Sequence, residues 1–192
     1  MDVVIFADGS VAGLWRGSRY PDPGQFQYPV FAGHWKDPAS YVFGAAVKAN
    51  NIFPGLAGSG DHNCAIEDPT VFLDTHGRMH ALFHNYRAGG HAASADRGRT
   101  WRWYGGKCGC PDHTTNCSRG TNDGNVVDWT RSVWPPQVEV AGGGPPIVPH
   151  RRERPHVVMA ADGYTVEALS TGTQNLGPPH DHTWTMVQLT HS

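Results

Sequence analysis

Two carboxylates stand out because each lies in a short run that ends in proline: Asp68 in Glu67-Asp68-Pro69, and Glu153 in Arg151-Arg152-Glu153-Arg154-Pro155. A carboxylic acid that protonates a leaving oxygen, set against a carboxylate that activates water, is the pairing that hydrolyses a glycosidic bond. His84, His91 and His156 fall near the same expected strand ends, where their ring nitrogens could hydrogen-bond sugar hydroxyls. Arg152 and Arg154 flank Glu153, and Arg16 ends the run Leu14-Trp15-Arg16, so all three could also reach a substrate. Each residue has an ordinary reading as well. The arginines around Glu153 could form a structural ion-pair cluster, and Asp68-Pro69 could be only a strand-initiating turn. Flanking arginines favour the ionised form of Glu153, which works against proton donation unless burial or Asp68 opposes them. The default for the seven tryptophans is core packing, with one or two serving as stacking platforms in a sugar site.

Cys108, Cys110 and Cys117 crowd into one Gly/Pro/Asn-rich loop, with Cys64 well upstream. Four cysteines allow two disulfides in three pairings, or a small zinc site completed by His113. His180-Asp181-His182 could hold a metal, but no third partner is visible in the sequence. Disulfides belong to oxidising compartments, so the expectation is an extracellular, secreted protein whose leader lies outside this sequence. No cofactor is expected.

The elements that must position these residues are strands. In 192 residues, Gly 24 and Pro 15 are high for a helical chain, and seven Trp, seven Phe and six Tyr suit short strands joined by tight turns. The length fits one domain, spanning residues 1–192. A formal charge of -2 with no run of like charges lacks the footprint of a nucleic-acid or anionic-membrane binder. No apolar stretch approaches the ~20 residues of a membrane helix. The expected state is a monomer.

One phrase occurs three times: Val3-Val4-Ile5-Phe6-Ala7-Asp8-Gly9, then Pro69 to Gly77, then Pro155 to Gly163. Each is an apolar strand running into a glycine turn, and each is followed by a second strand, over 10–16, 78–86 and 164–171. These are hairpin signals. The second copy continues through 90–95 and 100–104, giving four short strands in about 40 residues, the size of one propeller blade. The stretch 182–190 reads as a closing strand, alternating Trp184, Met186 and Gln188 against Val187 and Leu189. Uneven spacing between the copies places insertions at 50–63 and 107–125. The first copy begins at residue 3 with no strand before it, which suggests an N-terminally incomplete set of about three blades.

Ser94-Ala95-Asp96-Arg97-Gly98-Arg99-Thr100-Trp101 matches the S-x-D-x-G-x-T-W Asp-box pattern of sialidase-like propellers, a structural hairpin rather than an active site. Glu67 to Phe72, Met79 to His84, Gly89 to Ala92 and Arg151 to His156 together resemble the five-bladed β-propellers related to glycoside hydrolase family 43, the arabinanase and xylosidase group. The resemblance implies an all-β propeller and an inverting glycosidase with a carbohydrate as its partner, with Glu153 as general acid and Asp68 as base or modulator of the acid. It also implies a further carboxylate on the innermost strand of the first blade, for which Asp2 is the candidate; without that base hydrolysis should fail. The alternative is a lectin-like propeller that binds glycan without cutting it. A sialidase would want three substrate-binding arginines and a nucleophilic tyrosine, which no arrangement in the sequence clearly supplies.

Overall fold

The repeated phrase folds as a hairpin each time, because its glycine reaches a backbone region that other residues rarely enter. In the computed structural model, which describes residues 2–16, 30–35, 50–51, 66–85, 89–104, 133–135, 137–149, 151–175 and 182–190, Gly9, Gly77 and Gly163 have φ of 78°, 72° and 74°. Their amides donate to Phe6, Asp74 and Ala160 carbonyls at 2.8 to 2.9 Å. An aspartate locks every turn. Asp8 accepts from the Ser10 amide and hydroxyl, Asp74 from the His76 and Arg78 amides, and Asp162 from the Tyr164 and Thr165 amides and the Thr165 hydroxyl.

Around these turns the chain winds into antiparallel sheets in sequence order. The first runs β1 (Asp2–Ile5), β2 (Val11–Arg16), β3 (Val30–Trp35) and β4 (Asn50–Asn51). The second runs β5 (Ile66–Leu73), β6 (Met79–Asn85), β7 (Gly90–Ser94) and β8 (Arg102–Trp103). A small hairpin, β9 (Val138–Val140) with β10 (Gly144–Ile147), precedes a third sheet of β11 (Arg151–Met159), β12 (Val166–Asn175) and β13 (His182–Leu189). The described residues contain no helix, so the fold is all-β, as the composition indicates. No sheet closes into a barrel or ring among them.

Strand alternation gives the second sheet two working faces. Val71, Met79, Ala81, Phe83 and Ala92 pack on Val4, Phe6, Ala12 and Leu14 of the first sheet, with Leu73 and Trp101 at the margin. Phe72 and Leu82 point the other way, onto Val157, Met159, Val166 and Leu169 of the third sheet, where Val133 and Trp134 fill the gap. Side chains such as Leu14 and Phe83, both 0% exposed, each stabilise the stack by about 1.5–3 kcal/mol. The alternation read for 182–190 holds: Met186 is buried, Trp184 and Gln188 are half-buried, and Val187 and Leu189 are exposed.

The hairpins, β7 and β8 fall within a residue or two of the expected positions, except that β5 and β11 begin ahead of Pro69 and Pro155, at Ile66 and Arg151, and β12 runs on to Asn175. β3, β4, β9 and β10 carry no comparable signal. β4 is two residues long, and β10 begins Gly-Pro-Pro, a composition normally read as turn. Cys64, Cys108, Cys110, Cys117, His113, His180 and Asp181 lie outside the described residues.

Candidate functional site

The starts of β5 and β11 share an unusual backbone. Glu67 pairs with His84 and Thr70 with Leu82, so Asp68 and Pro69 together face the single residue Phe83. In β11, Glu153 pairs with Gly172 and His156 with Ser170, so Arg154 and Pro155 face only Thr171. Both are bulges of two residues against one, a device that bends a strand and re-aims its side chains. At each, the residue before proline has positive φ, 51° at Asp68 and 49° at Arg154. A Cβ disfavours that region, less for aspartate than for arginine, and a following proline pushes its predecessor toward extended conformations. Such strain collects at functional sites.

The matched register sorts the sequence candidates. Asp68 corresponds to Arg154, while Glu153 corresponds to Glu67; the two candidate catalytic carboxylates therefore occupy adjacent positions of one motif, not the same position of two. Asp68 is partly exposed, with Oδ2 4.0 Å from Nδ1 of the buried His84, an electrostatic contact beyond hydrogen-bonding distance. Glu153 is half-buried, and Arg154 and His156 are exposed. Arg152 turns to the opposite face of β11 from Glu153, as strand neighbours do. It is only 2% exposed, with Nε donating to the Thr171 hydroxyl at 3.2 Å and Nη2 to Gln188 Oε1 at 3.3 Å, and its guanidinium lies 5.2 Å from the Trp134 ring centre. Burial pulls its pKa down to about 10, so it stays charged at neutral pH. Its Nη1 is buried with no hydrogen-bond partner among the described residues. Arg16 closes β2, and its side chain lies outside the described residues.

Asp2 sits on β1 where Thr70 sits on β5 and His156 on β11, as the common register from the hairpin turns shows. Its Oδ2 accepts from the Thr70 hydroxyl and the Val71 amide, both at 2.9 Å, and its Oδ1 from the Val3 amide at 2.9 Å. The carboxylate is thus a clasp between the first two sheets.

His91 lies elsewhere, in a row of rings across the second sheet that the sequence reading did not single out. Phe72, His80, His91 and Tyr104 follow one another at centroid separations of 5.2 to 5.3 Å, with planes within 8° to 23° of parallel. His80 Nδ1 and His91 Nε2 meet at 2.9 Å, and His80 Nε2 is 3.2 Å from Asp74 Oδ2. Although partial burial opposes ionisation of Asp74, hydrogen bonds from Arg78, His80 and His76 hold its carboxyl well below the usual range. An ionised Asp74 fixes the proton of His80 on Nε2, which leaves Nδ1 to accept from His91 Nε2–H. Burial, aided by repulsion from His80, pushes His91 down to about 4, so this ring is neutral at physiological pH. The row borders a cleft of about 410 Å³, lined also by Arg78, Trp101 and Arg102. No group of three or more potential ligands among the described residues is placed to hold a metal ion.

Below the row, residues 94–101 form a tightly bonded turn. Asp96 accepts from the Arg99 and Thr100 amides, the Ser94 hydroxyl and the Thr100 hydroxyl, while Gly98 takes a φ of 81° and Trp101 Nε1 donates to the Gly98 carbonyl at 3.0 Å. Arg97 reaches out from it to Asp8 at 2.5 Å, across the Phe6 ring. Among known proteins, no family model and no curated protein matches this chain.

Proposed function

We propose that this chain is a carbohydrate-active protein of the five-bladed propeller type, contributing about three blades, and that it hydrolyses glycosidic bonds at the end where β1, β5 and β11 begin. The observation that carries the reading is the pair of matching bulges. Each uses backbone strain to present an ionisable side chain at the start of an edge strand, Asp68 on one and Arg154 beside Glu153 on the other. Three meanders packed face to face, each led by such a strand, fit blades of a propeller whose innermost strands would be β1, β5 and β11. In the reaction, Glu153 gives its proton to the leaving glycosidic oxygen as the C–O bond breaks, and Asp68 takes a proton from the water that adds to the anomeric carbon. Arg154 and His156 lie on the second of these motifs, His84 is paired with Glu67 of the first, and all three would hold sugar hydroxyls. Arg152, turned to the other face, supports the strand by its bonds to Thr171 and Gln188.

One observation favours binding without cleavage. The Asp2 carboxylate already accepts three hydrogen bonds, two of them from the neighbouring sheet, so it is engaged as a clasp rather than as a base. The deciding experiment screens the purified chain, Asp68→Asn and Glu153→Gln against aryl glycosides and polysaccharides, following turnover and binding separately. Turnover lost in both variants with binding retained supports hydrolysis. Binding in all three proteins with turnover in none supports recognition alone, and neither binding nor turnover in a folded wild-type chain overturns the proposal.

A further inference from the structure

The cleft beside the histidine row is remote in kind from the bulges: it is bordered by side chains of β6, β7 and the Asp96 turn, and its chemistry is complete in a different sense. Arg102 is exposed, and its guanidinium lies 5.1 Å from the centre of the Tyr104 ring. That contact orients the group without neutralising it; no carboxylate or hydrogen-bond acceptor engages it among the described residues. The other arginine of the cleft is spent, since Arg78 Nε and Nη2 both go to Asp74 Oδ2 at 2.6 Å. The cleft therefore offers one committed cation and one available cation.

The histidine pair supplies the second half of the recognition. With the His80 proton directed at Asp74 and the His91 Nε2 proton directed at His80, His91 Nδ1 carries a lone pair and makes no hydrogen bond in the described structure. A neutral ring held in a single tautomer is a fixed acceptor for a hydroxyl. Tyr104, 46% exposed, and Trp101, half-buried, add aromatic surface of the kind that covers the apolar face of a pyranose. The volume, about 410 Å³, lies in the range of sites for small organic ligands.

We infer that this cleft is a second saccharide site, selective for an acidic sugar unit whose carboxylate or sulfate pairs with Arg102 while one of its hydroxyls donates to His91 Nδ1. The inference rests on the carbohydrate reading above but assigns a different site and a different charge class. An anionic group takes two parallel hydrogen bonds from a guanidinium, a geometry that lysine cannot reproduce.

The test is calorimetric titration of the whole chain with three oligosaccharides of equal length, one uronate, one sulfated and one neutral, repeated on Arg102→Ala, Arg102→Lys, His91→Asn and Asp68→Asn, with each variant's melting temperature as the folding control. The expected result is that at least one acidic oligosaccharide binds, that Arg102→Ala weakens it by about 10-fold or more, that Arg102→Lys restores only part of the loss, and that Asp68→Asn leaves it unchanged. Which acid is preferred separates carboxylate from sulfate. The inference is overturned if the folded wild-type chain binds no acidic oligosaccharide, or if Arg102→Ala binds it as well as wild type does. Arg102-dependent acid binding in a chain that neither binds nor cuts neutral glycans would remove the proposal for the bulges alone. Neutral-glycan turnover that is lost in Asp68→Asn, with acid binding independent of Arg102, would remove only this one.

Discussion

The two ends of the strands in the central part of this molecule are built on opposite principles. At the turn end, charged groups are saturated: Asp8, Asp74, Asp96 and Asp162 each accept several bonds from their own turn, and all four are held more acidic than a free carboxyl. The strand-start end holds Asp68 and Arg154 at positive φ, as the Asp96 turn holds Arg97, but here a buried arginine nitrogen has no partner among the described residues and Asp68 meets His84 only at a distance. The contrast separates what holds the sheets from what can act. A group whose bonds are filled by its own fold contributes stability; a group held under strain with capacity left over can respond to a ligand.

The sharpest way to break this comparison is to overfill the strained end. Gly89 has a φ of 63°, and a methyl group there would lie 2.4 Å from the Trp134 ring. Gly89→Ala should destabilise the chain by about 2–4 kcal/mol through backbone strain and overpacking together, read as a lower urea midpoint with an unchanged slope. At the saturated end, Asp96→Ala should cost about 1–2 kcal/mol by orphaning turn amides. Partial burial resists ionisation of Asp96, but the bonds from Thr100 and Ser94 outweigh it and bring its pKa to about 2. Its folded pKa is depressed, so its contribution is present at neutral pH and is lost as pH falls toward 2. The acid limb of the stability curve should flatten in the variant.

Relieving strain should do the reverse of overfilling. Asp68→Gly and Arg154→Gly each remove a side chain from positive φ and should raise stability by about 1 kcal/mol, while Asp68→Gly abolishes turnover. A variant that loses both stability and turnover would show that Asp68 belongs with the structural carboxylates. The smallest effect concerns His91, which bridges the two categories. Its folded pKa of about 4 lies below its ordinary 6.5, so the unfolded chain binds the proton more readily between those values. Stability should fall as pH drops from about 6.5 to 4, by about 1 kcal/mol once solvent screening of the partly exposed ring is allowed for. Thermal melts across that range should show the slope in wild type and lose it in His91→Asn.

The strand framework was legible wherever a glycine turn marked a hairpin, because Gly9, Gly77 and Gly163 fix both turn and register. Once register is known, the ring row is legible too: Phe72 faces His80 across the Asp74 turn, and Leu82 faces His91, so the two histidines lie diagonally on one face. What concealed it was that His80 and His91 are 11 residues apart in sequence, and only the pairing of β6 with β7 brings them together. The bulges were not legible. Asp-Pro and Arg-Pro read as extended dipeptides, and only pairing to β6 and β12 reveals the extra residue. The proximity of Arg152 to Glu153 in sequence suggested an ion pair, whereas strand alternation sends Arg152 to Thr171 and Gln188. Short elements such as β4 escaped because two residues hold no period.

The hairpin turns also set a timetable for folding. Each sheet is wound in chain order, so its ladders join near neighbours, and a β-hairpin closes in about 1–10 μs. The bonds that join one sheet to the next span much longer loops, as from Asp2 to the Val71 amide 69 residues away. Contacts of that separation form slowly because the chain entropy is lost before the contact repays it. The meanders are therefore expected to form before they dock, with the Asp2 clasp among the later contacts.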